Sequence, residues 1–204
     1  MSEAGRETEH SIDRLFTDRW SPRSFSNETI PETVLLQMFE AARWAPSSYN
    51  HQPWRFLYEK RGGAEWETYV GLLTDVNRVW AYRAAALIFV LSENQVQRPG
   101  QDQPVESFTH ILDAGFAFAQ MSLQATLLGW HTHGMQGFEK DRAHVELGIP
   151  GCFRVNVAVA VGKIGPASLL SEALQARERP SHRRPLGEIV ASGRMPPDWT
   201  AAES

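Results

Sequence analysis

A single cysteine, Cys152, stands in 204 residues, which excludes an internal disulfide framework and any all-cysteine metal site and agrees with a reducing compartment. No stretch approaches the roughly 18 consecutive apolar residues of a membrane span, and the opening segment, Met1 to His10, lacks the apolar core of a secretory signal. A cytoplasmic protein off the membrane is expected. There is no excess of positive charge either: 20 Lys+Arg stand against 24 Asp+Glu, a formal net charge of −4 spread along the length, so no nucleic-acid partner is expected. Internal repeats, low-complexity tracts and compositional breaks are missing. At 42% hydrophobic content the chain reads as one domain over residues 1–204. The glycines form no Gly-x-Gly-x-x-Gly turn between a strand and a helix, so a Rossmann dinucleotide site is not indicated. His131-x-His133, in the loop expected after a long helix ending near Leu128, and His110 and His144 have no convincingly spaced third ligand, and no metal site is expected. Cys152 follows Pro150-Gly151 without a nucleophile signature and reads as a small buried residue.

What is present is aromatic. Seven tryptophans and ten phenylalanines exceed what packing alone needs, because large rings are hard to bury completely and often serve interfaces and flat ligands. Ile30-Pro31-Glu32 opens a helix, with proline at the first helical position and glutamate at the positive end of the dipole. Val34, Leu35, Met38, Phe39 and Ala42 lie on one stripe of it, and Ala45-Pro46 closes it. Pro53 to Glu59 reads as an aromatic strand closed by Arg61-Gly62-Gly63. The apolar runs 85–91 and 155–161 read as interior strands. Between them, Val105 to Leu128 reads as one long helix, apolar around most of its circumference, in a core or against a second subunit. Helices separating strands in this way predict a sandwich with the sheet covered on both faces. The last forty residues, rich in proline and arginine, read as an extended arm that needs a second subunit to lie on.

Two segments carry candidate chemistry. In Arg19-Trp20-Ser21-Pro22-Arg23, two guanidinium forks and a hydroxyl can converge on one phosphate if the backbone folds tightly; the same residues also fit a solvated basic turn. In Arg43-Trp44-Ala45-Pro46-Ser47-Ser48-Tyr49-Asn50-His51-Gln52-Pro53-Trp54 a helix stops, a polar loop follows and a strand opens. That concentrates donors and acceptors as a heterocycle with several carbonyls and ring nitrogens requires, although serine and asparagine also serve loops for conformational reasons alone.

Taken together, the Arg-x-Ser-x-Arg opening, the Ala-Arg-Trp-Ala-Pro-Ser-Ser helix end and the Asn-x-Gln-Pro-Trp-x-Phe strand entry closely resemble the nitroreductase family of FMN enzymes, from Ile12 to about Val190. The resemblance implies an α+β, three-layer α/β/α fold and an intertwined homodimer with FMN in the interface, residues 180–204 forming a C-terminal arm that reaches the partner subunit. It implies that Arg19, Trp20, Ser21 and Arg23 hold the phosphate and ribityl end, and that Pro46, Ser47, Ser48 and Asn50 approach the flavin from the other chain. By the same resemblance Asn77 faces the pyrimidine edge and Gln136-Gly137 supplies a backbone N–H to flavin N5, where it stabilises arriving electron density. Arg183 returns to the phosphate. Trp80 departs from relatives that carry a lysine near the flavin. The implied activity is ping-pong transfer from NAD(P)H through flavin N5 to an electron-poor acceptor such as a nitroaromatic or quinone, with no protein side chain assigned as catalytic. A reductive dehalogenase, an enzyme that consumes reduced flavin, and a non-catalytic FMN carrier or sensor share the same cofactor residues. The polar loop from about Gln97 to Glu106 is the expected lid.

Overall fold

The computed structural model describes residues 6–98, 100–197 and 199. Pro99 of the expected lid, residues 1–5 of the opening segment, and Asp198 and 200–204 of the expected arm lie outside them. The elements, in chain order, are α1 (Leu15–Asp18), α2 (Glu32–Arg43), β1 (Trp54–Lys60), α3 (Trp66–Gly71), α4 (Asp75–Ala81), β2 (Ala86–Glu93), β3 (Gln95–Val96), β4 (Val105–Glu106), α5 (His110–Leu127), β5 (His131–Met135), α6 (Lys140–Glu146), β6 (Phe153–Gly162) and α7 (Glu172–Gln175).

Four strands form one antiparallel sheet in the order β1-β2-β6-β5. The two apolar runs are its central strands, and β2 is buried along almost its whole length because helices cover both faces. Alternation along the strands sorts their side chains into two cores. Ile88, Val90, Val159 and Val161 pack under α2 and α5. Leu87, Phe89, Leu91, Ala158 and Ala160 face Trp66 and Tyr69 of α3, Trp80 of α4 and Ala143 of α6. The result is the expected three-layer arrangement.

α2 follows Pro31 and turns Leu35, Met38 and Ala42 inward, the spacing of one helical stripe. The long helix is shorter than its composition predicts. Val105 and Glu106 pair with Val96 and Gln95, so extended backbone holds the start of the segment and α5 begins at His110. The expected lid is thereby the connection of a two-stranded hairpin. His131 and His133, expected in a loop after this helix, are instead residues of strand β5, paired with Gly162 and Ala160. Cys152 is half-buried rather than buried, since it sits in the turn just before β6.

α5 presents small residues to its own sheet: Ala114, Ala117 and Ala125 are buried there with Met121. Its larger apolar side chains point away, with Leu112 58% exposed, Phe116 40% exposed and the preceding Phe108 81% exposed. The arm adds Ile189, Val190 and Met195, all exposed. The chain presents 12823 Å² to solvent, where a compact monomer of its mass of 23.0 kDa presents roughly 9,600 Å².

The segment leading to α2 is fastened to the far end of β6. Phe25 bridges Ile164, Ser26 N–H donates to Lys163 O at 2.9 Å and Gly165 N–H donates to Ser24 O at 2.9 Å. Phe25 is fully buried, and the absence of a side chain at Gly165 is what permits the contact: a Cβ there would lie 2.8 Å from the carbonyl carbon and oxygen of Phe25. Because backbone cannot give way as a side-chain tip can, Gly165→Ala should lower unfolding stability by about 1–3 kcal/mol. An unchanged denaturant midpoint would show that the strap is not held there.

Candidate functional site

From α1 the chain runs through residues 19–24 to the pinned Phe25, and this strap brings Arg19, Trp20, Ser21 and Arg23 to the edge of a cavity of about 350 Å³. His133 of β5, Arg6, and Arg177, Arg179, Ser181 and Arg183 of the C-terminal segment complete the lining. Two ties set the assembly. The Glu178 carboxylate accepts from the backbone N–H of Arg23 and of Ser24, each at 2.8 Å, which brings Arg177 and Arg179 alongside. Arg6 donates from Nη1 to the carbonyls of Arg19 at 2.8 Å and Thr17 at 3.1 Å. Arg19 reaches Ser21 Oγ at 3.4 Å.

Six guanidiniums thus surround one cavity, and among the described residues none of them makes an ion pair with a carboxylate. Burial, and then the repulsion of Arg6 and Arg183, pulls Arg19 below its usual value; burial and Arg177 do the same to Arg23. They remain cationic at neutral pH. Such a cluster is destabilised until an anion enters, and forked guanidiniums beside a serine hydroxyl match a phosphate.

His133 donates from Nδ1 to the carbonyl of Pro22 at 2.9 Å, because a carbonyl can only accept. Its ring lies 4.7 Å from that of Trp80. Trp80 is itself buried between Phe25 and His133, so the tryptophan read as a departure near the flavin is a core residue. Burial pushes the His133 pKa down to about 4, with further lowering from Arg23 and Arg19. His131, edge-on to Trp20, is also lowered, by burial and then by Arg19.

Further along the same edge, the Gly137 carbonyl is clasped by Thr74 N–H at 3.1 Å, Thr74 Oγ at 3.1 Å and Asn77 Nδ2 at 3.0 Å. A side chain on Gly137 would collide with Thr74 Oγ and Asn77 Nδ2, each at 2.7 Å. One of the two Asn77 amide N–H groups is therefore engaged in fixing this loop. Gln136 O accepts from Phe138 N–H at 3.2 Å, and a trans peptide aims its N–H opposite its carbonyl. The Gly137 N–H is thus a fixed donor directed away from that turn, with no acceptor among the described residues. Gln136 itself donates to Asn156 O at 2.8 Å.

The polar loop after α2 lies elsewhere. Ser47 Oγ accepts from Gln52 N–H at 3.0 Å, and Ser48 N–H points at the buried Asp113 carboxylate of α5, at 3.3 Å. Tyr49, Asn50 and Gln52 all have positive φ, 51°, 58° and 51°, a conformation that costs non-glycine residues energy and clusters at functional sites. Pro46 and Asn50 are exposed. This loop enters β1 at one edge of the sheet, on the α2/α5 face; the arginine cavity sits by β5 at the other edge, on the face of Trp80. Three strand spacings, about 14 Å, separate those edges. Pro46, Ser47, Ser48 and Asn50 accordingly do not line the cavity formed by Arg19 and Arg23. Five residues of the cavity were not anticipated from the sequence: Arg6, His133, Arg177, Arg179 and Ser181. Only the Arg177-x-Arg179 spacing carried any signal, and its relation to the strap depends on Glu178.

The Nitroreductase family model matches residues 16–69 and 58–163. A crystal structure of an oxidoreductase containing FMN is 42% identical and superposes with a TM-score of 0.91 over 96% of this chain and 99% of that one. A nitroreductase family protein from Clostridium difficile 630, 23% identical, shares the fold at a TM-score of 0.67 over 91% of this chain and 100% of its own. Among curated proteins, an NADH dehydrogenase of Thermus thermophilus is 28% identical over 201 residues, covering 84% of this chain and 91% of its own. An uncharacterized 15.4 kDa protein of Mycolicibacterium smegmatis is 32% identical over 69% of this chain and 96% of its own.

The depressed His133 has a consequence for stability. An unfolded histidine titrates near 6.5 and the folded one at about 4, so between those values the unfolded chain binds the extra proton. Stability should therefore fall as pH is lowered through that window. Thermal melts between pH 7 and 4.5 should show a steeper decline for the wild type than for His133→Gln; equal slopes would remove His133 as a contributor.

Proposed function

The chain belongs to the nitroreductase family, and from that premise we propose that it is an FMN-dependent NAD(P)H oxidoreductase acting as a homodimer, with an electron-poor nitroaromatic or quinone as acceptor. FMN, when bound, supplies hydride and electron transfer between nicotinamide and acceptor. The observation that carries the reading is the six-guanidinium cavity with Arg19, Ser21 and Arg23 on one rim, on the same sheet edge as the Gly137 N–H, which has no acceptor among the described residues. In this reading Arg19, Ser21, Arg23 and Arg183 hold the phosphate and Trp20 flanks the ribityl chain. The Gly137 N–H, held by Thr74 and Asn77, donates to the ring nitrogen that takes up hydride, the place where a preorganised donor acts most strongly. No acid–base side chain is assigned.

The second subunit is part of the same proposal. Pro46, Ser47, Ser48 and Asn50 lie at the opposite edge of the sheet, so they serve the flavin of the partner; the exposed apolar side chains of α5 and of the arm, residues 180–204, supply the surface that joins the two chains. Each flavin is then complete only in the dimer. The 42% identical FMN-containing oxidoreductase, which matches nearly the whole chain, supports the cofactor, and the NADH dehydrogenase relative supports the nicotinamide donor. A cytoplasmic setting suits a reduced-nicotinamide enzyme, and no described helix is long and apolar enough to cross a membrane.

The purified chain should be yellow, bleach anaerobically with NADH or NADPH, and recover its colour with menadione. A colourless protein that does not take up FMN would overturn the proposal; FMN binding without bleaching by either nicotinamide would leave a carrier. Arg23→Ala should weaken FMN binding by about 1.5–3 kcal/mol, on the order of 10- to 150-fold in Kd, if the charged hydrogen bond is made. Sedimentation should find a dimer at micromolar concentration, and a monomer carrying full FMN affinity would dispose of the two-chain site.

A further inference from the structure

The arginine cavity holds more positive charge than one phosphate consumes. A phosphate monoester carries about −1.5 to −2 at neutral pH, against six guanidiniums of which none is ion-paired among the described residues. The one carboxylate that reaches the strap, Glu178, is engaged with backbone N–H groups. The surplus has a direction. Arg177, Arg179 and Ser181 line the phosphate cavity and also line an adjoining cavity of about 430 Å³, completed by Ala176, Pro180 and His182. Two neighbouring spaces therefore share two forked cations and a hydroxyl.

We propose that this adjoining cavity is a subsite for a second phosphoryl group, next to the one that takes the flavin phosphate, with Arg177 and Arg179 as its principal contacts. The proposal rests on the FMN reading for the first phosphate. Two ligands offer the second: the diphosphate of a flavin dinucleotide, or a separate phosphate monoester bound beside FMN. Guanidinium forks suit either, because each can bridge oxygens of neighbouring phosphoryl groups. Glu178 acts in the subsite only by fastening the Arg177–Arg179 segment to the strap.

Flavin-free full-length protein is titrated with riboflavin, FMN and FAD by flavin fluorescence, and its melting temperature is followed with phosphate and with pyrophosphate. Pyrophosphate should stabilise more than phosphate at equal concentration. FAD should bind no more than threefold weaker than FMN, and Arg177→Gln/Arg179→Gln should cost FAD at least tenfold more affinity than it costs FMN. If FAD is poorly bound but millimolar AMP or phosphate still raises the melting temperature of the FMN-loaded protein, and the double variant abolishes that rise, the subsite stands and its ligand is a separate monoester. The subsite is refuted if neither FAD nor added phosphate gains from Arg177 and Arg179, or if the double variant weakens FMN and FAD equally. If no flavin binds at all, the FMN reading fails; the pyrophosphate-over-phosphate preference and its loss in the double variant still decide the subsite.

Discussion

The packing of Phe25 against the end of β6 is the contact on which the site rests. Its ring and backbone occupy space left by Gly162 and Gly165, and the two backbone hydrogen bonds of the Phe25–Ile164 bridge close the strap around it. Arg19, Trp20, Ser21 and Arg23, which line the arginine cavity, are carried on the residues just before it. Without that anchor Arg19 and Arg23 would sit on a strap tied only through side chains, better able to avoid each other and to stay hydrated. With it they are held together, partly desolvated and mutually repelling. The cost is recovered only when an anion arrives, which makes the cavity selective for negative charge.

The two faces of the sheet divide the labour. One carries the strap, Trp80, His133 and the clasped Gly137 peptide; the other carries α2, α5 and the strained loop at Tyr49–Gln52. The antiparallel order sends β1 and β5 to opposite edges, so the loop before β1 and the cavity beside β5 point into different environments. α5 spends its small residues on its own sheet and turns Leu112 and Phe116 outward. That assignment brings the helix close to the strands and leaves apolar area uncovered. In the proposed dimer a second copy would meet both geometries at once, completing the proposed flavin site and covering the helix.

How much of this was legible beforehand depends on the range of the interaction. The two central strands and the stripe of α2 were readable because period and composition are local. The start of α5 was misplaced because Val105 and Glu106 pair with residues nine or more positions earlier, and a short pairing of that kind outweighs helix propensity without leaving a periodic mark. The histidines of β5 were placed in a loop because Thr132 and Gly134 interrupt any apolar run. Asn77 and Gly137 were each named from resemblance, yet the hydrogen bond between them, which turns a side chain into a support for a backbone donor, joins residues far apart in sequence.

The amino-acid sequence by itself determined the class of the molecule: absent disulfide framework and dinucleotide turn, covered sheet, a phosphate-like Arg-x-Ser-x-Arg segment and a polar loop between helix and strand, all of which follow from residue type and spacing. The tertiary structure alone decided which of these residues meet. Arg6, His133, Arg177 and Arg179 joined the cavity, and Ser47 and Ser48 were sent to the opposite edge, because strand order and the Glu178 tie act over distances that no local pattern encodes.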